Sequence, residues 1–217
     1  MPGFENARRA MVDTQVRPSD VTRYPIIEAM LAVPRERFVP ASRREIAYAE
    51  TDVPLAPGRA LLAPRTLAKM LEAATIDPAD LVLDLAPATG YSTALIARMA
   101  EAVVAIEPDA DLCATAQARL DELEVMNAAI SPGAVEDGDP DHGPYDVILV
   151  NGAVEQVPAE LTAQLKDGGR LVAIFLDGPV GRCRVVTRAG DALSDRRAFD
   201  VDAPLIEGFR KARAFEF

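Results

Sequence analysis

The chain is predicted to be an α/β protein: a doubly wound, mostly parallel sheet with helices on both faces, an N-terminal helical extension and a C-terminal antiparallel strand pair. Three observations predict it. From residue 80 onward, short apolar runs alternate with helix-length segments, the rhythm of βαβ units. The runs themselves, such as Leu81 to Leu85, are continuously apolar apart from one acid, as in strands buried on both faces. The first three each carry or precede a polar residue, Asp84, Glu107 and Asn151, at the carboxyl edge where ligands bind in open sheets of this kind.

The elements follow in order. Glu5 to Val16 is helical and polar until Arg17-Pro18 interrupts it. Pro25 suits the first turn of a helix over Ile26 to Ala32, which stops before Pro34. Residues 45 to 64 lose periodicity and collect Pro54, Pro57, Gly58 and Pro64, a loop-rich approach that suits the lining of a site. Arg65 to Ala74 places Leu67, Met70 and Leu71 at helical spacing.

Strand Leu81 to Leu85 is followed by helix Thr93 to Met99, strand Val103 to Ile106 and helix Asp111 to Leu123. Next come strand Val147 to Val150, helix Ala159 to Leu165, a turn at Lys166-Asp167-Gly168-Gly169 and strand Leu171 to Phe175. Arg182 to Arg188 and Leu193 to Val201, joined through Ala189-Gly190-Asp191, form the antiparallel pair at one edge. A single domain is expected, with an N-terminal helical subregion (1–75), an α/β core (76–180) and an antiparallel edge (181–217).

Composition excludes several function classes. A net charge of −11 lacks the cationic surface that nucleic acid or an anionic membrane would require. No apolar stretch reaches bilayer-spanning length, and the amino terminus, with Glu5, Arg8 and Arg9, lacks a signal peptide's apolar core, so a cytoplasmic protein is expected. Cys113 and Cys183 lie far apart in different elements and read as small buried hydrophobes rather than a disulfide or metal site. His142, the only histidine, falls in the acidic stretch Glu136 to Gly143 and reads as a solvated loop residue, which removes most catalytic triads. The irregular spacing of those acids and Pro140 suit no metal loop, and no metal is expected.

The candidate site is the segment from Asp84 to Tyr91 together with Glu107. An acid, then a tight turn at Ala86 to Gly90 before a helix, has the form of a nucleotide-cofactor loop. Glu107 falls roughly 20 residues beyond it, where related folds place an acid to accept both ribose hydroxyls. A carboxylate does this well because it accepts two hydrogen bonds side by side. Asn151-Gly152 after the third strand either faces the cofactor or forms an ordinary turn.

At this point the chain closely resembles the protein-L-isoaspartate O-methyltransferase family. The family's A-V-P-R-E-x-F-V is matched by Ala32-Val33-Pro34-Arg35-Glu36-Arg37-Phe38-Val39. Its cofactor loop E-I-G-T-G-S-G-Y falls on Asp84-Leu85-Ala86-Pro87-Ala88-Thr89-Gly90-Tyr91, and its second-strand acid on Glu107, followed by Pro108. Its later pattern returns as Tyr145 to Val150, Val157-Pro158 and Leu161 to Val172. The resemblance implies a Rossmann-like methyltransferase sheet and S-adenosyl-L-methionine as cofactor, with S-adenosyl-L-homocysteine as product. The substrate it implies is the side carboxylate of an L-isoaspartyl residue in a damaged protein or peptide, and the role is protein repair. Cofactor contacts are implied for Asp84, Ala86, Ala88, Thr89, Gly90, Tyr91, Glu107, Pro108, Ala134 and Asn151.

Departures from the family pattern cluster at that site. Ala86 and Ala88 replace loop glycines, and Pro87 removes an amide donor. On an unchanged loop path the added methyl groups cost on the order of 1–3 kcal/mol, or roughly one to two decades of affinity. Gly133-Ala134-Val135 aligns with the family's G-D-G, so Ala134 loses the acceptor that lies against the adenine amino group; Glu136 or Asp137 compensates only if the loop shifts. On the substrate side, Ala60-Leu61-Leu62-Ala63-Pro64-Arg65-Thr66 aligns with T-I-S-x-P-[HY]-M, and Leu62 replaces the hydroxyl residue that contacts the isoaspartyl group. Arg65 either supplies a cation for a substrate carboxylate or is a surface arginine opening a helix, and Thr66 lies beside it.

Two functions therefore stand at this stage. One is S-adenosylmethionine-dependent methylation of a carboxylate, most directly that of L-isoaspartyl residues. The other is a non-catalytic relative serving as a binding or scaffolding module. Glu107, Asp84, Gly90 and Tyr91 favour the first; Leu62, Ala134, Ala86, Pro87 and Ala88 favour the second.

Overall fold

The computed structural model describes residues 2–178 and 180–211. The N-terminal part is helical: α1 (Pro2–Met11) runs into a π-helical turn at Val12–Val16 and α2 (Tyr24–Ala32) follows, with Pro25 in its first turn. The proline-rich stretch then forms a two-stranded hairpin, β1 (Val53–Ala56) against β2 (Arg59–Leu61), turning at Pro57-Gly58 with Gly58 at φ +69°. This corrects the loop expected there. Three prolines hid the pairing, yet Pro54 needs no ladder donor on a strand with only one partner. Helix α3 (Pro64–Ala74) opens on a proline, ends at Thr75 in a left-handed conformation, and buries Leu67, Met70 and Leu71.

The central sheet is built from β3 (Leu81–Leu85), α4 (Tyr91–Ile96), β4 (Ala102–Glu107), α5 (Ala110–Glu122), β5 (Ala128–Pro132), β6 (Tyr145–Val154), α6 (Ala159–Thr162), β7 (Leu165–Phe175), β8 (Arg182–Ala189) and β9 (Ala192–Asp200). Its order is β5-β4-β3-β6-β7-β8-β9. The first five strands in that order are parallel; β8 and β9 are antiparallel additions. Strand order reverses between β3 and β6, which puts the crevice at their carboxyl ends.

Because side chains alternate across a strand, the sheet divides the core in two. Val82, Val103, Ala105, Val147, Leu149 and Val172 belong to the cluster that also holds the helical N-terminal part and α4. Leu83, Leu85, Ile106, Ile148, Val150 and Leu171 face the other cluster with Tyr145, Leu161 and Phe209. Arg170 ties β7 to the end of α3, donating to the carbonyls of Ala74 at 2.6 Å and Thr75 at 2.8 Å and to Asp80 at 2.7 Å.

Several boundaries move. Strand β5 was not expected; it is short, mostly solvent-facing and ends at a proline, so it carries little of the apolar signal. Asn151-Gly152 lies inside β6 at a break in register between Leu149 and Ala153, where two polar or small residues imitate a turn. Lys166 to Gly169 likewise bulges out of β7 between Leu165 and Arg170, with Gly168 at φ +78°. Helix α6 stops at Thr162, short of the end expected at Leu165. Beyond β9, Leu205 pairs in parallel with Ala153, and Phe209 is buried against the end of β6.

Candidate functional site

Three consecutive alternate positions of the loop after β3 take left-handed backbone: Ala86 and Ala88 at φ +55° each and Gly90 at +89°. The turn therefore keeps the path that glycine serves, although alanine fills two of its three special positions. Left-handed backbone costs a residue bearing Cβ about 1–2 kcal/mol, so the loop persists because its surroundings hold it. The amide of Ala86 donates to Ile106 O at 2.9 Å, that of Gly90 to Pro87 O at 2.9 Å, and the Thr89 hydroxyl to Phe38 O at 2.6 Å. Gly90 has no room to change: a Cβ there would stand 3.0 Å from Cβ of Ala116 on α5.

Asp84 lies fully buried beneath this loop. Its Oδ2 accepts from the hydroxyls of Ser92 at 2.8 Å and Thr93 at 2.7 Å, and its Oδ1 from Asn151 Nδ2 at 2.6 Å. Burial pushes its carboxyl up to about 6, against the pull of those three donors. Asn151 also donates to Leu85 O at 3.0 Å. Asp84 thus gathers the start of α4 and the bulge of β6 around the end of β3. Ser92 and Thr93 were not singled out from sequence, where hydroxyls in the first turn of a helix pass as ordinary.

Glu107, at the end of β4, is completely buried. Its Oε2 accepts from the amide of Ala88 at 2.7 Å and its Oε1 from the amide of Asp109 at 3.1 Å. Asp109 in turn caps α5, accepting from the amides of Asp111 and Leu112 at 3.0 Å each. The remaining positions are filled by Arg59 from the hairpin: Nη1 to Oε1 at 2.5 Å and Nη2 to Oε2 at 2.7 Å, with Nη2 also reaching Ala86 O at 3.0 Å. Arg59 is the site residue that sequence reasoning missed. The available signal was an isolated cation directly after the Pro57-Gly58 turn in an otherwise apolar stretch.

The other expected site residues divide. Tyr91 is in the core, packed edge-on against Phe38 with centroids 5.4 Å apart and beneath the Arg35 guanidinium at 5.0 Å. Arg35 is itself fully buried and donates to Ala47 O at 2.6 Å and Leu62 O at 2.7 Å, so the Pro-Arg-Glu turn fixes the backbone of Leu62. The Leu62 side chain is buried in the apolar core. Pro108 and Ala134 are exposed beside the end of β4 and beyond β5. Glu136 abuts the backbone of Gly208, and Asp137 is exposed. Arg65 is a surface residue 3.7 Å from Glu50, and with Thr66 it lines a cavity of about 270 Å³ completed by Lys69, Phe199, Asp200 and Val201. That cavity shares no lining residue with the loop from Asp84 to Tyr91.

Cys113 and Cys183 are buried free thiols, and His142 is exposed beside Asp139. Among the described residues no group of three or more His, Cys, Asp or Glu side chains is placed to hold a metal ion.

Comparison with known proteins agrees with this geometry. The family model "Protein-L-isoaspartate(D-aspartate) O-methyltransferase" matches residues 6–193. A protein-L-isoaspartate O-methyltransferase of Koribacter versatilis is 40% identical over 172 residues, covering 79% of this chain and 78% of its own. One of Roseiflexus castenholzii is 37% identical over 211 residues, covering 94% of each chain. Among solved structures, a protein-L-isoaspartate O-methyltransferase superposes with a TM-score of 0.80 at 22% identity, over 94% of this chain and 65% of that one. A Plasmodium falciparum structure described as the same kind of enzyme, in complex with S-adenosyl-L-homocysteine, superposes with a TM-score of 0.79 at 19% identity over 94% of this chain. At those identities the structures establish the fold, while the family match and the closer relatives establish kinship: the chain belongs to the protein-L-isoaspartate(D-aspartate) O-methyltransferase family.

Proposed function

We propose that this protein transfers a methyl group from S-adenosyl-L-methionine to the side carboxylate of L-isoaspartyl residues in damaged proteins or peptides. The observation that carries the reading is the buried carboxylate of Glu107, held at the end of β4 one hydrogen bond from a loop that keeps glycine-type backbone. The residues fit the cofactor's chemistry. Glu107 would hold the ribose hydroxyls, the loop from Ala86 to Gly90 would lie against the cofactor's body, and Pro108 and Ala134 would flank the adenine. Asp84 and Asn151 would keep the loop and the bulge of β6 in register beneath it, and Thr89 and Tyr91 would act through the packing of the loop.

The cofactor supplies an electrophilic methyl group on sulfur. An isoaspartyl carboxylate, with a reference pKa near 4, is ionised at neutral pH and needs no general base. The work left to the protein is alignment of nucleophile and methyl group, an orientation effect. This suits a site whose carboxylates are all tied to donors and whose single histidine is exposed at a distance in sequence from the loop. Leu62, in place of a hydroxyl, offers substrate no side-chain hydrogen bond, so recognition falls more heavily on backbone groups.

A protein or peptide partner is part of this proposal, as is a cytoplasmic setting, which free thiols suit. Among the described residues no helix is long and apolar enough to cross a membrane. Thermal unfolding with S-adenosyl-L-homocysteine tests the cofactor half directly. At about 100 times its dissociation constant the ligand stabilises by about 2.7 kcal/mol, a rise of several degrees in Tm for a chain of this size. No rise at millimolar ligand contradicts the proposal.

A further inference from the structure

We propose that Arg59 is a latch on the cofactor site: it closes the ribose-binding carboxylate of Glu107 and has to withdraw before a vicinal diol can bind. The inference rests on the methyltransferase reading and adds a residue and a step to it. A carboxylate offers about four lone-pair positions. On Glu107 all four are taken, Oε1 by Arg59 Nη1 and the Asp109 amide, Oε2 by Arg59 Nη2 and the Ala88 amide. A ribose diol requires two of them.

The two amide donors are fixed, one by the cap of α5 and the other by the strained loop. Arg59 is the donor that can leave. It stands on a hairpin whose two strands pair only with each other, so its movement breaks no hydrogen bond of the central sheet. The turn at Pro57-Gly58 is exposed, and Leu55 of β1 borders a cavity of about 280 Å³ that lies between residues 37–40, Thr89 and Leu112 of α5. At its base the hairpin is anchored by buried Val53 and Leu61 and by Asp52, which accepts from the Ala63 amide at 2.7 Å. Hinging between that anchor and the free turn carries Arg59 off Glu107. Two hydroxyl donors then replace the two guanidinium donors, and the acceptor count on Glu107 is conserved.

The closed state lowers apparent affinity by the fraction of molecules in which the latch is open. Removing the guanidinium therefore has opposite effects on stability and on binding. In Arg59→Gln and Arg59→Met the ligand-free protein loses the donors that satisfy a buried carboxylate, and its Tm falls. S-adenosyl-L-homocysteine, measured by calorimetry, binds both variants at least tenfold more tightly than the wild type. A purely structural role would lower Tm and leave affinity unchanged or weaker, and that result overturns the proposal. If neither wild type nor variants bind at millimolar concentration, the cofactor reading itself fails and the latch falls with it. A crystal structure of the wild-type complex gives a check that depends on no variant. Arg59 withdrawn and the diol on Glu107 is the expected arrangement; an intact Arg59–Glu107 pair beside bound ligand overturns it.

Discussion

The amide of Ala88 donates to Oε2 of Glu107 at 2.7 Å, and it can do so because Ala88 is held in left-handed backbone. A residue that disfavours this conformation is thus what joins the loop after β3 to the acid on the neighbouring strand. Replacing Ala86 and Ala88 by glycine relieves about 1–2 kcal/mol of strain at each and removes two buried methyl groups worth about 0.8 kcal/mol apiece. The double variant is expected to change unfolding free energy by no more than about 1–2 kcal/mol. Its affinity for S-adenosyl-L-homocysteine should rise at least several-fold, because a loop without the two buried methyl groups lets its backbone approach the ligand more closely. Calorimetry and urea denaturation read the two effects separately, and unchanged affinity would show that the methyl groups do not limit that approach.

Gly90→Ala should be costly for two separable reasons. The added methyl meets Ala116 at 3.0 Å, and the backbone stays at φ +89°. A loss of about 1–3 kcal/mol is expected. Adding Ala116→Gly makes space but leaves the strain, so urea denaturation should find only part of the loss recovered. Full recovery would mean that backbone conformation contributes nothing there.

Stability should depend on pH through Asp84. Burial raises its carboxyl from an ordinary 3.8 to about 6, so the folded state holds a proton that the unfolded chain releases. The contribution is fully present below 3.8 and is lost as pH rises through about 6. Compared with Asp84→Asn, the wild type should lose on the order of 3 kcal/mol of unfolding free energy between about pH 4 and pH 7, and little beyond. Denaturant titrations of both proteins across this range check it. A difference independent of pH would mean that Asp84 ionises normally.

Arg35→Lys should destabilise by about 2–4 kcal/mol despite keeping the charge. Lysine cannot reproduce the fork that reaches both Ala47 O and Leu62 O, and burial already draws the arginine below its ordinary value. Chemical denaturation at neutral pH measures the loss; a change under about 0.5 kcal/mol, the scale of a surface substitution, would show the contacts to be dispensable.

Much of this was legible in the chain because the signals are local. Leu81 to Leu85 reads as a doubly buried strand from five residues, and Glu107 follows from its distance beyond the turn. What escaped depends on partners remote in sequence. Arg59 acquires meaning only when β4 brings Glu107 against it, and β5 is a strand because β4 pairs with it. Asn151-Gly152 has turn chemistry, yet the C-terminal segment at Pro204 to Ile206 pairs alongside it and holds it in a bulged strand. Conversely, Tyr91 sits at a family motif position but packs into the core, because Phe38 and Arg35 close over its ring.

The central claim, methyl transfer to an isoaspartyl carboxylate, is tested most directly by incubating the protein with methyl-labelled S-adenosyl-L-methionine and two peptides that differ only in an isoaspartyl or an aspartyl linkage. The account predicts label in the isoaspartyl peptide, as an ester released by mild base, and little in its aspartyl twin. Label in neither peptide, from protein shown to bind S-adenosyl-L-homocysteine, would contradict it.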